Sequence, residues 1–262
     1  MDRVRRILWS VASMLGLLVI WWVGSVAFPA VLPGVGAVVE ELGVILTTPG
    51  AYGHMWYYHV WKTAEMIFVS LVVCLAVGTV VGVALGTSDW LETATSPWVY
   101  GWLAFPSLVV VFLVGVWFGF TPLAGYIGVP IVVTPFVVLN MWEGARNLDR
   151  NLEEMSGFFG ASRYQTFMEV IIPQLVPFLF TSVRSALSIG WKITLLVEAL
   201  LLTRGVGFMF KRSFDNYQLT AMMAWLVVFM VFLFIVEYGV IVPLHNYMTD
   251  WRPEIEGVQP TE

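Results

Sequence analysis

Arg184, Lys192 and Glu198 interrupt a run from Phe178 to Leu202 that is otherwise uncharged. A charge in such surroundings is costly unless it faces a partner or a wet cavity. Arg184, Trp191 and Glu198 recur at intervals of seven, which puts them on one face of a helix with Lys192 beside Trp191. Such a face can line a path for a charged solute, and its two bases favour an anion. A second reading stands beside this one: Lys192 and Glu198 pair with neighbouring helices as fixed glue, while Arg184 snorkels to the inner surface. Bond-breaking chemistry has no comparable support. His54, His59 and His245 are scattered without metal-ligand spacing. There is no GxSxG or HExxH, and the glycine-rich segments lack the lysine of a phosphate-binding loop. No catalytic or metal site is expected, and any ATP must be bound by another chain.

The second polar feature is Asn151 to Pro177, NLEEMSGFFGASRYQTFMEVIIPQLVP, lying between long apolar blocks. Asn151 with Glu154 three residues on reads as a capping box, and Ser162 with Gln165 reads as another. Gly160 separates the two short helices these caps predict, since glycine takes any backbone conformation cheaply. Tyr164, Phe167, Met168 and Ile171 give the second helix one apolar face. Pro173 and Pro177 are expected to close the unit. Read from its caps alone the stretch is either an ordinary cytoplasmic loop or a helical pair built to dock on something.

These residues must be held by membrane-spanning helices. The chain is 59% hydrophobic and 12% charged, far from the half-apolar, quarter-charged balance of soluble domains. The net charge of −5 is spread over loops and tail and argues against nucleic acid, which wants a basic face. The lone Cys74 excludes an intrachain disulfide. Ile7 to Phe28 is a first span, longer than the apolar middle of a signal peptide. An external segment, Pro29 to Tyr58, carries a surface helix over Val35 to Leu46. Met66 to Gly86 is a second span, whose Gly78, Gly82 and Gly86 form a doubled small-xxx-small pattern for close helix packing. Thr87 to Ser96 reads as a cytoplasmic turn. Thr93 to Trp142 has no charge and would be about 75 Å long as one helix. It must therefore fold back, best at Gly119 to Pro122, giving a third span (Pro97 to Phe118) and a fourth (Leu123 to Trp142) bent by Pro130 and Pro135. A fifth span runs to Leu202, an outer loop covers Thr203 to Thr220, and a sixth covers Ala221 to Leu244. Only the fifth carries charges away from its ends. Basic residues concentrate on one side, placing both termini in the cytoplasm. The fold class expected is all-α integral membrane, about six spans in a single domain, residues 1–262, with a core over 62–245 and the capped unit at 151–177.

The capped unit resembles the EAA motif of permease subunits of bacterial ATP-binding-cassette importers. Glu154-Met155-Ser156 stands for Glu-Ala-Ala, Gly160 for the glycine after three intervening residues, and Val170-Ile171-Ile172-Pro173, after nine more, for Ile-x-Leu-Pro. Met155, Ser156, Val170 and Ile172 depart from the common letters. The likeness covers Leu32 to Pro253 and is nearest the nitrate, sulfonate and taurine branch. Leu32-Pro33, Gly82, Gly86, Pro106, Trp117-Phe118-Gly119, Arg146, Asp149, Trp191, Glu198 and Gly205-x-Gly207 carry it. The resemblance implies a type I importer permease fold in the inner membrane with a cytoplasmic coupling helix. Glu154, Ser156, Gly160, Ala161, Ser162 and Pro173 would then engage an ATPase subunit. It implies a homodimer with the pathway at its centre, two ATPase subunits holding ATP and Mg, and a free periplasmic or lipid-anchored binding protein. A small anionic solute is the expected cargo. An aromatic acid or vitamin precursor, and more remotely a stand-alone channel or secondary transporter, are the alternatives.

Overall fold

The structure is a computed structural model and describes residues 3–243. All elements among the described residues are helical. The first helix, α1, spans Arg3–Ala27, and α2 spans Val35–Thr47. The Trp21 indole donates to the Pro33 carbonyl at 3.0 Å and ties the start of α2 to α1.

Next comes α3, Trp56–Thr87, which begins ten residues before the span expected at Met66. The turn expected over Thr87 to Ser96 shrinks to Ser88. Its side chain accepts from the Leu91 N–H and starts α4, Asp89–Leu103, with Asp89 and Glu92 in the first turn. Acidic residues suit the positive end of a helix, so what reads as a polar loop is a helix start. The third span is also not one helix. α4 and α5, Ser107–Phe118, meet at 93°. Pro106 lacks an N–H and pushes the residue before it out of helical conformation. The reversal at Gly119 to Pro122 is present, with Gly119 at φ +75. α6, Pro122–Arg146, then continues as one helix through Pro130 and Pro135.

The capped unit consists of α7, Arg150–Phe158, and α8, Arg163–Gln165. A π turn over Thr166–Ile171 leads directly into α9, Ile172–Leu201. Pro173 and Pro177 therefore do not close the unit, and Arg163–Leu201 is one helical run of 39 residues. The wider π turn just before Pro173 relieves the clash of a proline ring with the carbonyl one turn back. The stretch expected as an outer loop contains α10, Val206–Asp215. The last described helix, α11, covers Leu219–Val236 and ends in a π turn over Glu237–Ile241. His245 and the tail lie outside the described residues.

Four helices are long and apolar enough to cross a membrane: Trp56–Thr87, Pro122–Arg146, Arg163–Leu201 and Leu219–Ile241. The bent α4–α5 pair makes five, and Leu15–Ala27 is a shorter apolar helix. Two compact units divide the chain. The first comprises the residues up to Thr63 with Glu198–Phe232, the second Ala64–Val197 with Leu233 onward. In the second unit, α3 packs on α6 through its glycines. A Cβ at Gly78 would lie 2.6 Å from Val137 Cβ, one at Gly82 2.6 Å from the Val138 carbonyl, and one at Gly86 2.4 Å from Ala145 Cβ. The buried side chains of Leu85, Val138 and Trp142 fill the same seam.

Candidate functional site

The capped unit is built as a stapled pair. Asp149, not Asn151, caps α7: its carboxylate accepts from the Asn151 N–H at 2.9 Å. Both residues can cap a helix, and the chain starts the helix earlier than the Asn151–Glu154 pairing implies. Glu154 is exposed on α7 and makes no ion pair among the described residues. Gly160 adopts φ +76. The Ala161 N–H donates to the Ser156 carbonyl and the Gly160 N–H to the Gly157 carbonyl, which is the Schellman ending of a helix. Ser162 and Gln165 then form a reciprocal capping box. The Ser156 and Thr166 hydroxyls meet at 2.8 Å, tying the two helices together. Gln174 accepts from the Asp149 N–H at 2.8 Å and fastens the base of the unit to α9. Sequence reasoning overlooked what this frame displays: Phe158 and Phe159 are 90% and 84% exposed at its tip. The letters Phe-Phe before Gly160 already offered this adjacent exposed aromatic pair to a reading of the sequence.

In the second unit a cleft of about 920 Å³ runs along α9 from Pro177 to Trp191 and reaches the end of α11. Arg184 and Trp191 line it; Lys192 and Glu198 do not. Lys192 is exposed and its ammonium lies 5.5 Å from the centre of the Trp191 ring. Within the cleft, Arg184 Nη2 donates to Glu237 Oε1 at 3.1 Å. Glu237 overturns the expectation that only the fifth span holds charges away from its ends. It stands alone in the otherwise uncharged run from Thr220 to Leu244, a pattern as visible as that of Arg184. A further such charge is Glu65 on α3, which accepts from the Tyr126 hydroxyl.

Glu198 sits in the first unit at 1% exposure. Its Oε2 accepts from the Thr63 hydroxyl and from the Gly207 N–H, both at 2.9 Å. The Thr63 oxygen in turn accepts from the Val206 N–H at 2.9 Å. Glu198 and Thr63 thus cap the N-terminus of α10, where free N–H groups and the helix dipole favour a carboxylate. Gly205, at φ +98, leaves the needed room: a Cβ there would fall 2.1 Å from the Glu198 carboxyl carbon. Nothing in the spacing of Thr63 and Glu198, 135 residues apart, discloses this pairing. No group of His, Cys, Asp and Glu suited to a metal ion occurs among the described residues.

Residues 75–245 match the family described as "Binding-protein-dependent transport system inner membrane component". The chain belongs to this family. It is 24% identical over 255 residues to the taurine transport system permease protein TauC of Escherichia coli, covering 96% of this chain and 92% of that one. It is 33% identical over 104 residues to the aliphatic sulfonates transport permease protein SsuC of Escherichia coli, described as putative in its name, covering 40% of each. The fold is similar to that of a chain in a structure of inward-facing conformations of the MetNI methionine ABC transporter, with a TM-score of 0.64 at 20% identity over 73% of this chain and 94% of that one. This permease is accordingly a multi-pass inner-membrane component of a bacterial importer. Members of its family are not themselves enzymes, and an ATPase and a substrate-binding protein are its partners.

Proposed function

We infer that this permease passes a small sulfonate-bearing solute inward along the α9 face, driven by ATP bound with Mg on two separate ATPase subunits. Two copies of the chain form the pathway between them. The capped unit over 151–177 seats in each ATPase, and a binding protein, free or lipid-anchored, delivers the solute outside. ATP binding draws the two capped units together and opens the pathway outward, and hydrolysis resets it, an alternation between two states biased by nucleotide. Arg184 and Lys192 supply the positive field for the anion. The names of the taurine and aliphatic sulfonate relatives support the sulfonate group.

The observation that carries this reading is the exposed Phe158–Phe159 tip, held on a capped unit whose second helix runs without a break into the helix bearing Arg184. Gly160→Val tests it. A Cβ at Gly160 meets nothing within 4 Å, so the change brings only backbone strain, on the order of 1–3 kcal/mol, at a position of positive φ. The variant is expected in the membrane at normal level, but with the ATPase lost from a tagged-permease pull-down and uptake lost with it. Glu154→Lys is expected to act the same way more weakly, by charge reversal at the docking surface. Full ATPase recovery and full uptake in Gly160→Val would remove the capped unit from the coupling role.

A further inference from the structure

Glu41 on α2 and Arg212 on α10 line one cavity of about 220 Å³ without meeting each other. Neither makes an ion pair or a side-chain hydrogen bond among the described residues. The cavity lies wholly within the first unit, among α2, the approach to α3, α10 and the start of α11. The Arg212 guanidinium rests 5.8 Å from the centre of the Tyr52 ring, and that ring stacks on Phe208 at 6.1 Å. Tyr52 takes φ +57 in this position, a left-handed conformation that residues with a Cβ seldom adopt and that recurs at ligand clamps. His54, also in the lining, is held by stacking on Tyr58 with ring centres 3.9 Å apart.

The surroundings are those of a membrane surface. α2 has 13 residues, too few to cross a bilayer. Its Val38 and Ile45 are buried, while Val39 and Leu46, on the adjoining face, are exposed. Such a helix lies along the interface with apolar side chains toward the acyl chains. Trp56 lines the cavity, and Tyr57 and Trp61 follow it, exposed, at the start of the long helix α3. Trp and Tyr collect at the level of lipid headgroups. Val44 both lines the cavity and is exposed, so the charged cavity opens beside apolar surface.

A ligand that satisfies both Arg212 and Glu41 carries an anion and an N–H cation a few bonds apart. An anionic headgroup without a cation engages Arg212 and sets its charge against Glu41. A choline headgroup has no N–H for the carboxylate. A phosphoethanolamine headgroup answers both: its phosphate oxygens suit the guanidinium fork, and its ammonium donates to Glu41. We propose that this cavity binds the phosphoethanolamine headgroup of a membrane phospholipid, phosphate on Arg212 and ammonium on Glu41, so that one lipid joins α2 to α10. The lipid's acyl chains cover the exposed apolar face of α2. This site is independent of which solute the permease carries.

The permease–ATPase complex, purified in mild detergent and stripped of lipid, is titrated with phosphatidylethanolamine and with phosphatidylglycerol of the same acyl chains. The first lipid bound is read by native mass spectrometry. The native complex is expected to bind phosphatidylethanolamine about fivefold more tightly, the weight of one exposed ion pair. Glu41→Gln is expected to remove the preference by weakening phosphatidylethanolamine alone, while Glu41→Asp, which keeps the charge, retains it. Arg212→Gln is expected to weaken both lipids, because both carry a phosphate. Soluble phosphoethanolamine at the same concentration should displace neither, since it offers nothing to the apolar face of α2. Equal binding of the two lipids, a ratio unchanged in Glu41→Gln, or lipid binding unaffected by Arg212→Gln overturns the proposal. Glu41→Gln weakening both lipids alike gives Glu41 a structural role and overturns it too. Displacement by soluble phosphoethanolamine replaces the lipid with a free zwitterion as the ligand.

Discussion

Glu198 shows how a charged residue in a span can serve architecture. The hydrogen bonds it accepts from Thr63 and Gly207 both go to one oxygen, Oε2, so a glutamine oriented the same way can accept both. Glu198→Gln is expected to keep the thermal stability of the purified permease near native. Glu198→Ala orphans the Gly207 N–H, at about 1–3 kcal/mol for a buried group left unpaired, while the Thr63 hydroxyl keeps the His59 carbonyl as acceptor at 3.2 Å; the change should lower the melting temperature clearly. Gly205→Ala should do the same, since its Cβ would strike the Glu198 carboxyl and its φ is +98. A thermal-shift series in detergent measures all three. Equal loss in Glu198→Gln and Glu198→Ala would show that the charge, rather than the acceptor geometry, is required there. The face shared by Arg184, Trp191 and Glu198 in the sequence is a true helical spacing. Which of these residues would meet a cleft and which a buried helix end depends on partners such as Thr63 and Glu237, and a single helix's periodicity says nothing about them.

Among the elements, the α3–α6 seam rests on the absence of side chains. Gly82→Leu would put a branched side chain where even a Cβ comes within 2.6 Å of the Val138 carbonyl and 2.7 Å of Met141 Cβ. Backbone cannot step aside as a flexible side chain can, so the two helices must separate. The expected result is a sharp fall in the yield of assembled, monodisperse permease, read by fluorescence-detected size exclusion. Normal yield and uptake would make the glycine incidental to assembly. Helix positions were largely legible, because uncharged runs and their breaks follow from bilayer thickness and from glycine and proline chemistry. The elbow at Pro106, the continuity through Pro173 and the helix within Thr203 to Thr220 were not. Proline tolerance depends on whether a turn can widen nearby, as Thr166–Ile171 does. Short polar stretches become helices when a remote carboxylate such as Glu198 caps them.

For the whole molecule, the distribution of basic residues sets a topology that chemistry can check. Phe158, at 90% exposure, should face the cytoplasm, and Tyr217, at 91%, the outside. The native Cys74 is 1% exposed and provides a silent background. Cysteine placed at Tyr217 should react with a membrane-impermeant maleimide added to intact spheroplasts, whereas cysteine at Phe158 should react only after permeabilisation. The opposite pattern would invert the protein in the membrane and take the capped unit away from any cytosolic ATPase. Membership of the importer family was legible from the spacing around Gly160. The counter-ion of Arg184 was not, because nothing in the sequence states which helix lies beside which.

The unbroken run from Arg163 to Leu201 also fixes an angular phase. Each residue of an α-helix turns the chain by about 100°, so a single insertion or deletion between Arg163 and Arg184 would swing the guanidinium to a different side of the helix relative to Phe158. The phase between the capped unit and Arg184 is therefore set by the number of residues between them, and the π turn over Thr166–Ile171 belongs to that count.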